Sequence, residues 1–352
     1  MAVSQREQRI LGIIETARSK RAKFRDEQIN MAHGAGGKAT QSLIEGLFVP
    51  AFGGAALEAM ADAGAVEVDG TELAMTTDSF VVKPLRFPGG SIGDLAVNGT
   101  VNDLAAAGAE PLALTLSLVL EEGLTAAELR AEVEAIAAAA GAAGVEIVAG
   151  DTKVVERGHA DGIYICTTGI GRRDPRARFE RPRPGDRILL SGAVGEHGTA
   201  IMLARGEFDL DADIVSDTRA LWPAVDALLA AGGVRALRDA TRGGVASVLN
   251  ELAQGVGMVV QEAAVPVKPA VAGACELLGI DPMYVANEGK LVALVAPESA
   301  DAALAALTAL DPDAADIGEI REEPPGMVLV DTAFGGRRVM DELVGDPLPR
   351  IC

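Results

Sequence analysis

Cysteine is scarce in this chain. Of 352 residues only Cys166, Cys275 and Cys352 carry a thiol, and none stands in a Cys-x-x-Cys pair. That excludes a disulfide scaffold and a structural zinc knot and points to a reducing compartment. Aromatic residues make up 3% of the chain against 49% hydrophobic overall, so the core is built from Ala, Val, Leu and Ile. Positive charge is outnumbered, with 31 Lys and Arg against 51 Asp and Glu, a net −20. This disfavours a grip on nucleic acid or on an anionic membrane surface. The deficit falls on the body of the chain, because residues 1–30 hold seven basic and four acidic side chains. No apolar run reaches the roughly 18 residues of a membrane span. The most apolar stretch, Pro111–Leu120, is too short. The N-terminus is charged throughout and has no apolar segment of a secretory signal, so the expected location is cytoplasmic. The three histidines, His33, His159 and His197, are too scattered in sequence to suggest a metal triad.

The length is enough for two domains. Residues 1–30 read as a polar helical extension. A glycine loop, Ala32-His-Gly-Ala-Gly-Gly-Lys38, runs into helical Ala39–Phe48. Ala74–Val82 reads as a strand carrying Thr77-Asp-Ser79. Ile92–Ala107 reads as a helix with an apolar stripe of Leu95, Val97, Val101 and Leu104 and with Asp103 opposite it. Leu112–Leu120 is a strand. Thr125 is the expected N-cap of helix Ala126–Ala140, which should stop at Gly141. Strands Val145–Ala149 and Ile163–Ile170 follow. The basic, proline-bearing segment Arg172–Pro184 is the best domain boundary. The second half restarts with strand Asp186–Ser191 and alternates helices, among them one near Thr218–Ala231, and strands up to Met327–Val330. The expectation is an α/β chain with an extension at 1–30, domains at 31–171 and 172–344, and a proline-stiffened tail at 345–352.

Several residues suit phosphate and metal chemistry. Glycines let backbone N–H groups close on phosphate, and a following helix adds its positive end. The loop at His33, Gly34, Gly36 and Gly37 has that character, although its spacing is neither a Walker loop nor a dinucleotide fingerprint. Asp78, Asp103, Asp151 and Asp239 are isolated aspartates flanked by small residues. Each could be a simple cap, but together they are what Mg²⁺ and a nucleotide require, since Mg²⁺ wants hard oxygen ligands. Lys153 can reach a phosphate. Glu288, in Val-Ala-Asn-Glu-Gly-Lys, is a charge wedged between apolar strands, where a raised pKa would make it a base. Cys352 ends the chain behind Pro347 and Pro349, a thiol on an arm that spans roughly 25 Å if extended. Cys166 and Cys275 lie in apolar strand and helix surroundings, so both should be buried and inert.

These segments together resemble the HypE family of hydrogenase maturation factors, the carbamoyl dehydratases. The resemblance runs from about Met31 to Cys352. It rests on His33-Gly-Ala-Gly-Gly37, Thr77-Asp-Ser-Phe-Val-Val82, Phe87-Pro-Gly-Gly90, Leu95-Ala-Val-Asn-Gly-Thr-Val-Asn-Asp-Leu-Ala105 and Gly150-Asp-Thr-Lys-Val-Val155. In the second half it rests on Arg238-Asp-Ala-Thr-Arg-Gly-Gly244, Val285-Ala-Asn-Glu-Gly-Lys290 and the terminal Pro349-Arg-Ile-Cys352, the most specific of them. More broadly the chain is similar to the ATP-using superfamily of aminoimidazole ribonucleotide synthetase, selenophosphate synthetase and thiamine-monophosphate kinase. Ala35 stands where another glycine is expected, and residues 1–30 have no counterpart in the family core.

The resemblance implies a PurM-like fold: an N-terminal sheet pairing with its twin as a barrel across a homodimer interface, a C-terminal α/β sandwich domain and a mobile tail. It implies ATP with Mg²⁺, with ligands Asp78, Asp103, Asp151 and Asp239. Nucleotide contacts would come from His33, Gly34, Gly36, Gly37, Asn98, Asn102, Thr152, Thr241, Arg242 and Gly243. It further implies that Cys352 receives a carbamoyl group from the carbamoyltransferase HypF. With Glu288 as base and Lys153 on phosphate or developing charge, the S-carboxamide becomes an S-cyanide for iron held by a HypC–HypD scaffold. The competing readings are an ATP-dependent synthetase or kinase of the same fold, which should end without Pro-Arg-Ile-Cys, and a non-catalytic scaffold, which should not keep four such aspartates.

Overall fold

A computed structural model describes residues 24–53, 57, 61–206, 212–342 and 351–352. Most of the extension expected at 1–30 and of the tail expected at 345–352 lies outside the described residues. The glycine loop forms a 3₁₀ turn, Met31–Gly34, capped by Asn30. Helix α1 (Lys38–Leu43) follows, then a π turn at Ile44–Phe48 and helix α2 (Val49–Phe52).

The first sheet opens with a hairpin of β1 (Gly64–Val68) and β2 (Thr71–Phe80). Its turn is Asp69-Gly70, both with positive φ (49° and 78°), the left-handed pair that matches strand twist. A short hairpin, β3 (Arg86–Phe87) with β4 (Gly90–Ser91), leads into helix α3 (Ile92–Ala106), N-capped by the Ser91 hydroxyl. Strand β5 (Ala109–Glu121) crosses over through helix α4 (Ala126–Ala143) to the parallel strand β6 (Glu146–Val155), and β7 (Ile163–Arg173) returns antiparallel. The sheet order is β1-β2-β7-β5-β6. Thr125 caps α4 in a reciprocal box with Glu128, as expected. The helix runs through Gly141 and ends at Gly144 in the left-handed conformation, because only there does the backbone leave the helical basin.

Two expectations are corrected here. Helix α3 has no single apolar stripe: residues on nearly all its faces are buried, because it packs on β2, β5, β7 and α4 on one side and on the second half of the chain on the other. The strand expected at Val145–Ala149 continues to Val155, so Asp151, Thr152 and Lys153 lie within a strand rather than beyond its end. That strand is the sheet's edge, with Val148 60% and Val154 67% exposed.

The second sheet is seven-stranded, in the order β14-β13-β10-β12-β8-β11-β9. Its strands are β8 (Arg187–Leu190), β9 (Val234–Asp239), β10 (Gly257–Gln261), β11 (Leu291–Val295), β12 (Ala315–Arg321), β13 (Val328–Asp331) and β14 (Arg337–Met340). Its helices are α5 (Glu196–Ala204), α6 (Trp222–Ala231), α7 (Gly244–Leu252), α8 (Pro269–Leu278) and α9 (Ala300–Thr308). Strand β11 is wholly buried, as a strand covered on both faces must be. Helix α6 starts at Trp222, not near Thr218, since Pro223 suits only a first turn. The freed stretch Ser216–Leu221 contacts the first half of the chain. No helix among the described residues is long and apolar enough to cross a membrane.

Candidate active site at the junction of the two halves

The carboxylates come from different elements. Asp78 is near the end of β2, Asp103 is in the last turns of α3, and Asp239 is the last residue of β9. Asp62, just before β1, joins them. Burial is the first cause that lifts each of these carboxyls above the usual range. Mutual repulsion adds to it: Asp103 faces Asp239, Asp62 and Asp78, and Asp239 faces Asp62 and Asp78. Arg238 offsets part of this, 3.0 Å from Asp62. Thr76 donates to Asp103 Oδ2 at 2.7 Å. Asp239 is 8% exposed, and its Oδ2 has no hydrogen-bond partner among the described residues. Among the described residues no three His, Cys, Asp or Glu side chains form a ready cage for a metal ion. A crowded set of buried carboxylates with an orphaned oxygen is nevertheless the donor chemistry that a divalent cation neutralises.

Glu288 follows the turn Pro282–Tyr284 and is 2% exposed. Its backbone is held from two sides: Asp217 accepts from the N–H groups of Glu288 and Gly289 (3.1 and 3.2 Å), and Asn102 Nδ2 donates to the Glu288 carbonyl (3.2 Å). Any side chain at Gly289 would collide with the Asp217 carbonyl, so glycine is required for this close approach. The Glu288 carboxyl is pushed well above the ordinary range by burial, then by Asp239, Asp78 and Asp217, with Arg242 opposing. Its Oε1 has no hydrogen-bond partner among the described residues.

Cys352 comes to this carboxyl. It is half-buried, its carbonyl accepts from Val81 N–H at 3.1 Å, and Ile351 before it is buried. Withdrawal from water pushes the thiol well up. Arg242 offsets this; the Glu288 and Asp78 carboxyls add to it.

The glycine loop reaches the same junction. Arg242 donates to the Gly34 carbonyl. Gly36, at φ 78°, packs so closely on Arg242 that a Cβ would lie 3.2 Å from it. Thr241 and Gly243 precede α7, with Gly243 as its left-handed N-cap. His33 is turned inward: its Nδ1 accepts from Asn30 N–H and its Nε2 meets Asp26 at 2.9 Å, so both ring nitrogens are engaged locally. Asn98 donates to Thr218 (3.1 Å). Asn102 donates to the Arg219 and Glu288 carbonyls and accepts from Leu221 N–H. These two asparagines staple α3 to the second half.

The structure does not bring every expected residue together. Asp151 and Lys153 pair with each other at 2.5 Å on exposed β6, and Thr152 donates its N–H to Asp151. The expectation for Cys166 is corrected: it is half-buried, because β7 alternates and Cys166 falls on its less covered face. Cys275 is buried and its thiol is raised by burial. Sequence reasoning missed Asp62, Asp217 and His197. Asp217, in Ser-Asp-Thr, has the same small-residue flanks that singled out Asp78.

Two family models match: AIR synthase related protein, N-terminal domain, over residues 60–173, and its C-terminal domain over residues 183–331. A relative from Rhizobium leguminosarum bv. viciae, named carbamoyl dehydratase HypE, is 51% identical over 92% of this chain and 95% of its own length. A solved structure of a HypE–HypF complex is similar with a TM-score of 0.81 and 44% identity, covering 86% of this chain and 99% of that one. A hydrogenase maturation protein HypE solved in complex with ATP gives a TM-score of 0.77 and 43% identity, covering 92% of this chain and 100% of that one.

Proposed function

Because the chain belongs to the carbamoyl dehydratase HypE family of hydrogenase maturation, we propose that Cys352 is the covalent carrier of its substrate and that the junction around Glu288 is where the ATP-dependent dehydration occurs. The single observation that carries this reading is the placement of the terminal thiol in the junction, its Ile351 and Cys352 carbonyls held by His197 and Val81, close to a buried carboxyl that is pushed well above its ordinary range.

The chemistry follows from the bonds. The oxygen of an S-carboxamide is a poor leaving group. Transfer of the γ-phosphoryl of ATP to that oxygen makes it phosphate. Its departure, with loss of both amide protons, leaves the C≡N bond on sulfur. Glu288 stands beside the sulfur and takes a proton, and its raised pKa makes it a stronger base once ionised. Burial of the junction keeps water from the activated amide. Asp78, Asp103 and Asp239 would hold Mg²⁺, which supplies positive charge against the phosphates. The glycine loop, which meets Arg242 at Gly34 and Gly36, would contact the nucleotide together with Thr241, Arg242 and Gly243.

The same environment argues that the thiol is loaded elsewhere. A thiolate is the nucleophile, and in this seat the thiol is held neutral by burial beside Glu288 and Asp78. Carbamoyl acceptance therefore takes place with the tail outside, on a transferase of the HypF kind, and delivery to a HypC–HypD scaffold takes place outside too. The protein acts as a homodimer, with the exposed apolar edge β6 paired against its twin. Asp151, Thr152 and Lys153 would then lie at the subunit boundary. A cytoplasmic site of action fits the free thiol.

The test is intact mass. With transferase, carbamoyl phosphate and ATP, the chain should gain one carbamoyl mass and then lose one water. Cys352→Ala should gain neither, and a carbamoyl mass on that variant would assign the carrier to another residue.

A further inference from the structure

His197 is the first residue after Glu196 in α5 and is completely buried. Its Nε2 lies 2.7 Å from the Ile351 carbonyl, and its Nδ1 lies 2.8 Å from Ser216 Oγ. We propose that His197 is a positioning residue for the terminal cysteine: with Ser216 behind it, it grips the backbone carbonyl of Ile351 and so sets the sulfur of Cys352 against Glu288. This rests on the reading that the junction is the dehydration site.

The hydrogen bonds fix the tautomer. A carbonyl only accepts, so Nε2 carries the proton and donates to Ile351. Nδ1 is then a bare acceptor, and Ser216 must turn its hydroxyl hydrogen to it. The Ser216 oxygen in turn accepts from Thr218 N–H at 3.2 Å, and Thr218 Oγ1 accepts from Asn98. Burial holds the imidazole down to about 4, so it remains neutral with one donor and one acceptor.

The brace comes from Phe87-Pro-Gly-Gly90, a motif with no place in the chemistry above. The Phe87 ring meets His197 edge-on at 5.5 Å. The Pro88 carbonyl accepts from Ser216 N–H at 2.8 Å. A Cβ at Gly89 would lie 2.7 Å from the Ser216 nitrogen, and φ there is 90°, so only glycine fits. The first half of the chain thus clamps the pair that holds the tail. With Val81 N–H on the Cys352 carbonyl, two successive carbonyls of the tail are held from the two halves. Ile351 adds its side chain to the buried cluster that contains Phe87, Ile201 and Val271. No part of this grip touches the sulfur. The seat is therefore the same for thiol, S-carboxamide and S-cyanide.

The experiment reads Cys352 protection in the full chain, without any carbamoyl chemistry. Iodoacetamide labelling is followed peptide by peptide, with buried Cys275 as the internal control for folding. His197→Leu should label Cys352 roughly 3- to 10-fold faster, the loss of one buried hydrogen bond, with Cys275 unchanged. His197→Gln, which keeps a donor, should label nearly as the parent does. Ser216→Ala, which leaves the packing intact, should give a smaller increase and keeps the test decisive if His197→Leu does not fold. In single turnover, His197→Leu should accept the carbamoyl group normally and lose water more slowly by a similar factor. Parent-like Cys352 labelling in folded His197→Leu or in Ser216→Ala overturns the proposal. Faster labelling without any carbamoyl gain in the parent would instead overturn the carrier reading and leave the seat standing.

Discussion

Replacing Asp239 by Asn should move stability and ligand response in opposite directions. In the folded protein the Asp239 carboxyl is buried, lacks a partner for Oδ2 among the described residues and is repelled by Asp62 and Asp78. An amide of the same shape removes that repulsion and can donate to the neighbouring carboxylates. Relief of one poorly compensated buried polar group is worth on the order of 1–3 kcal/mol. For domains of this size each kcal/mol moves Tm by about 2–4 °C. Asp239→Asn should therefore melt several degrees higher without nucleotide. The same change deletes an anionic oxygen from the proposed Mg²⁺ site. A ligand at a hundred times its Kd stabilises by about 2.7 kcal/mol, and most of that increment should vanish. Scanning calorimetry of parent and variant, each with and without Mg-ATP, reads both effects. A lower unliganded Tm together with a full Mg-ATP increment would refute the argument, because it would make Asp239 a structural residue.

Glu288→Gln should accept the carbamoyl group yet convert it to cyanide about 10²- to 10⁴-fold more slowly, the range for loss of a general base; intact-mass time courses decide, and an unchanged rate removes Glu288 from the chemistry. The raised carboxyls of Asp62, Asp78, Asp103, Asp239 and Glu288, with Glu251 pushed up to about 7, hold more protons in the folded state than in the unfolded one. Unliganded stability should then fall as pH rises from the ordinary carboxylate range through neutrality, and Mg-ATP should flatten that fall; melting curves at stepped pH that rise toward pH 8 would contradict the cluster. Light scattering should return about twice 36.1 kDa, and Val148→Arg, on the exposed edge strand, should shift the protein toward monomer; a parent mass of one chain at micromolar concentration would remove the dimer.

Much of the site was legible because its residue types are unusual for their surroundings. Aspartates among small residues, a glutamate between apolar strands and a cysteine at the chain end all carry a cost or a reactivity that a plain core or loop does not need. The Thr125 N-cap of α4 was likewise a local signal, set by hydrogen bonds within a few residues. Even so, β1 escaped, since its burial does not alternate, although the Asp69-Gly70 turn beside it was in plain sight. Strand β9, which carries Asp239, also escaped behind two glycines.

What the sequence by itself determined was the inventory: an acidic two-domain α/β chain, its reactive residues and the terminal thiol. The tertiary structure alone decided which of them meet. Electrostatic coupling and desolvation act through space, so nothing local to Asp103, on α3, could reveal that Asp62, Asp78 and Asp239 would crowd it. Nothing local to Asp151 and Lys153 could reveal that they would share an exposed sheet edge instead. His197 shows the same limit most sharply. Its neighbours in sequence are ordinary, and its meaning comes from a carbonyl 154 positions away, brought within hydrogen-bond reach only when the two halves and the tail are packed together.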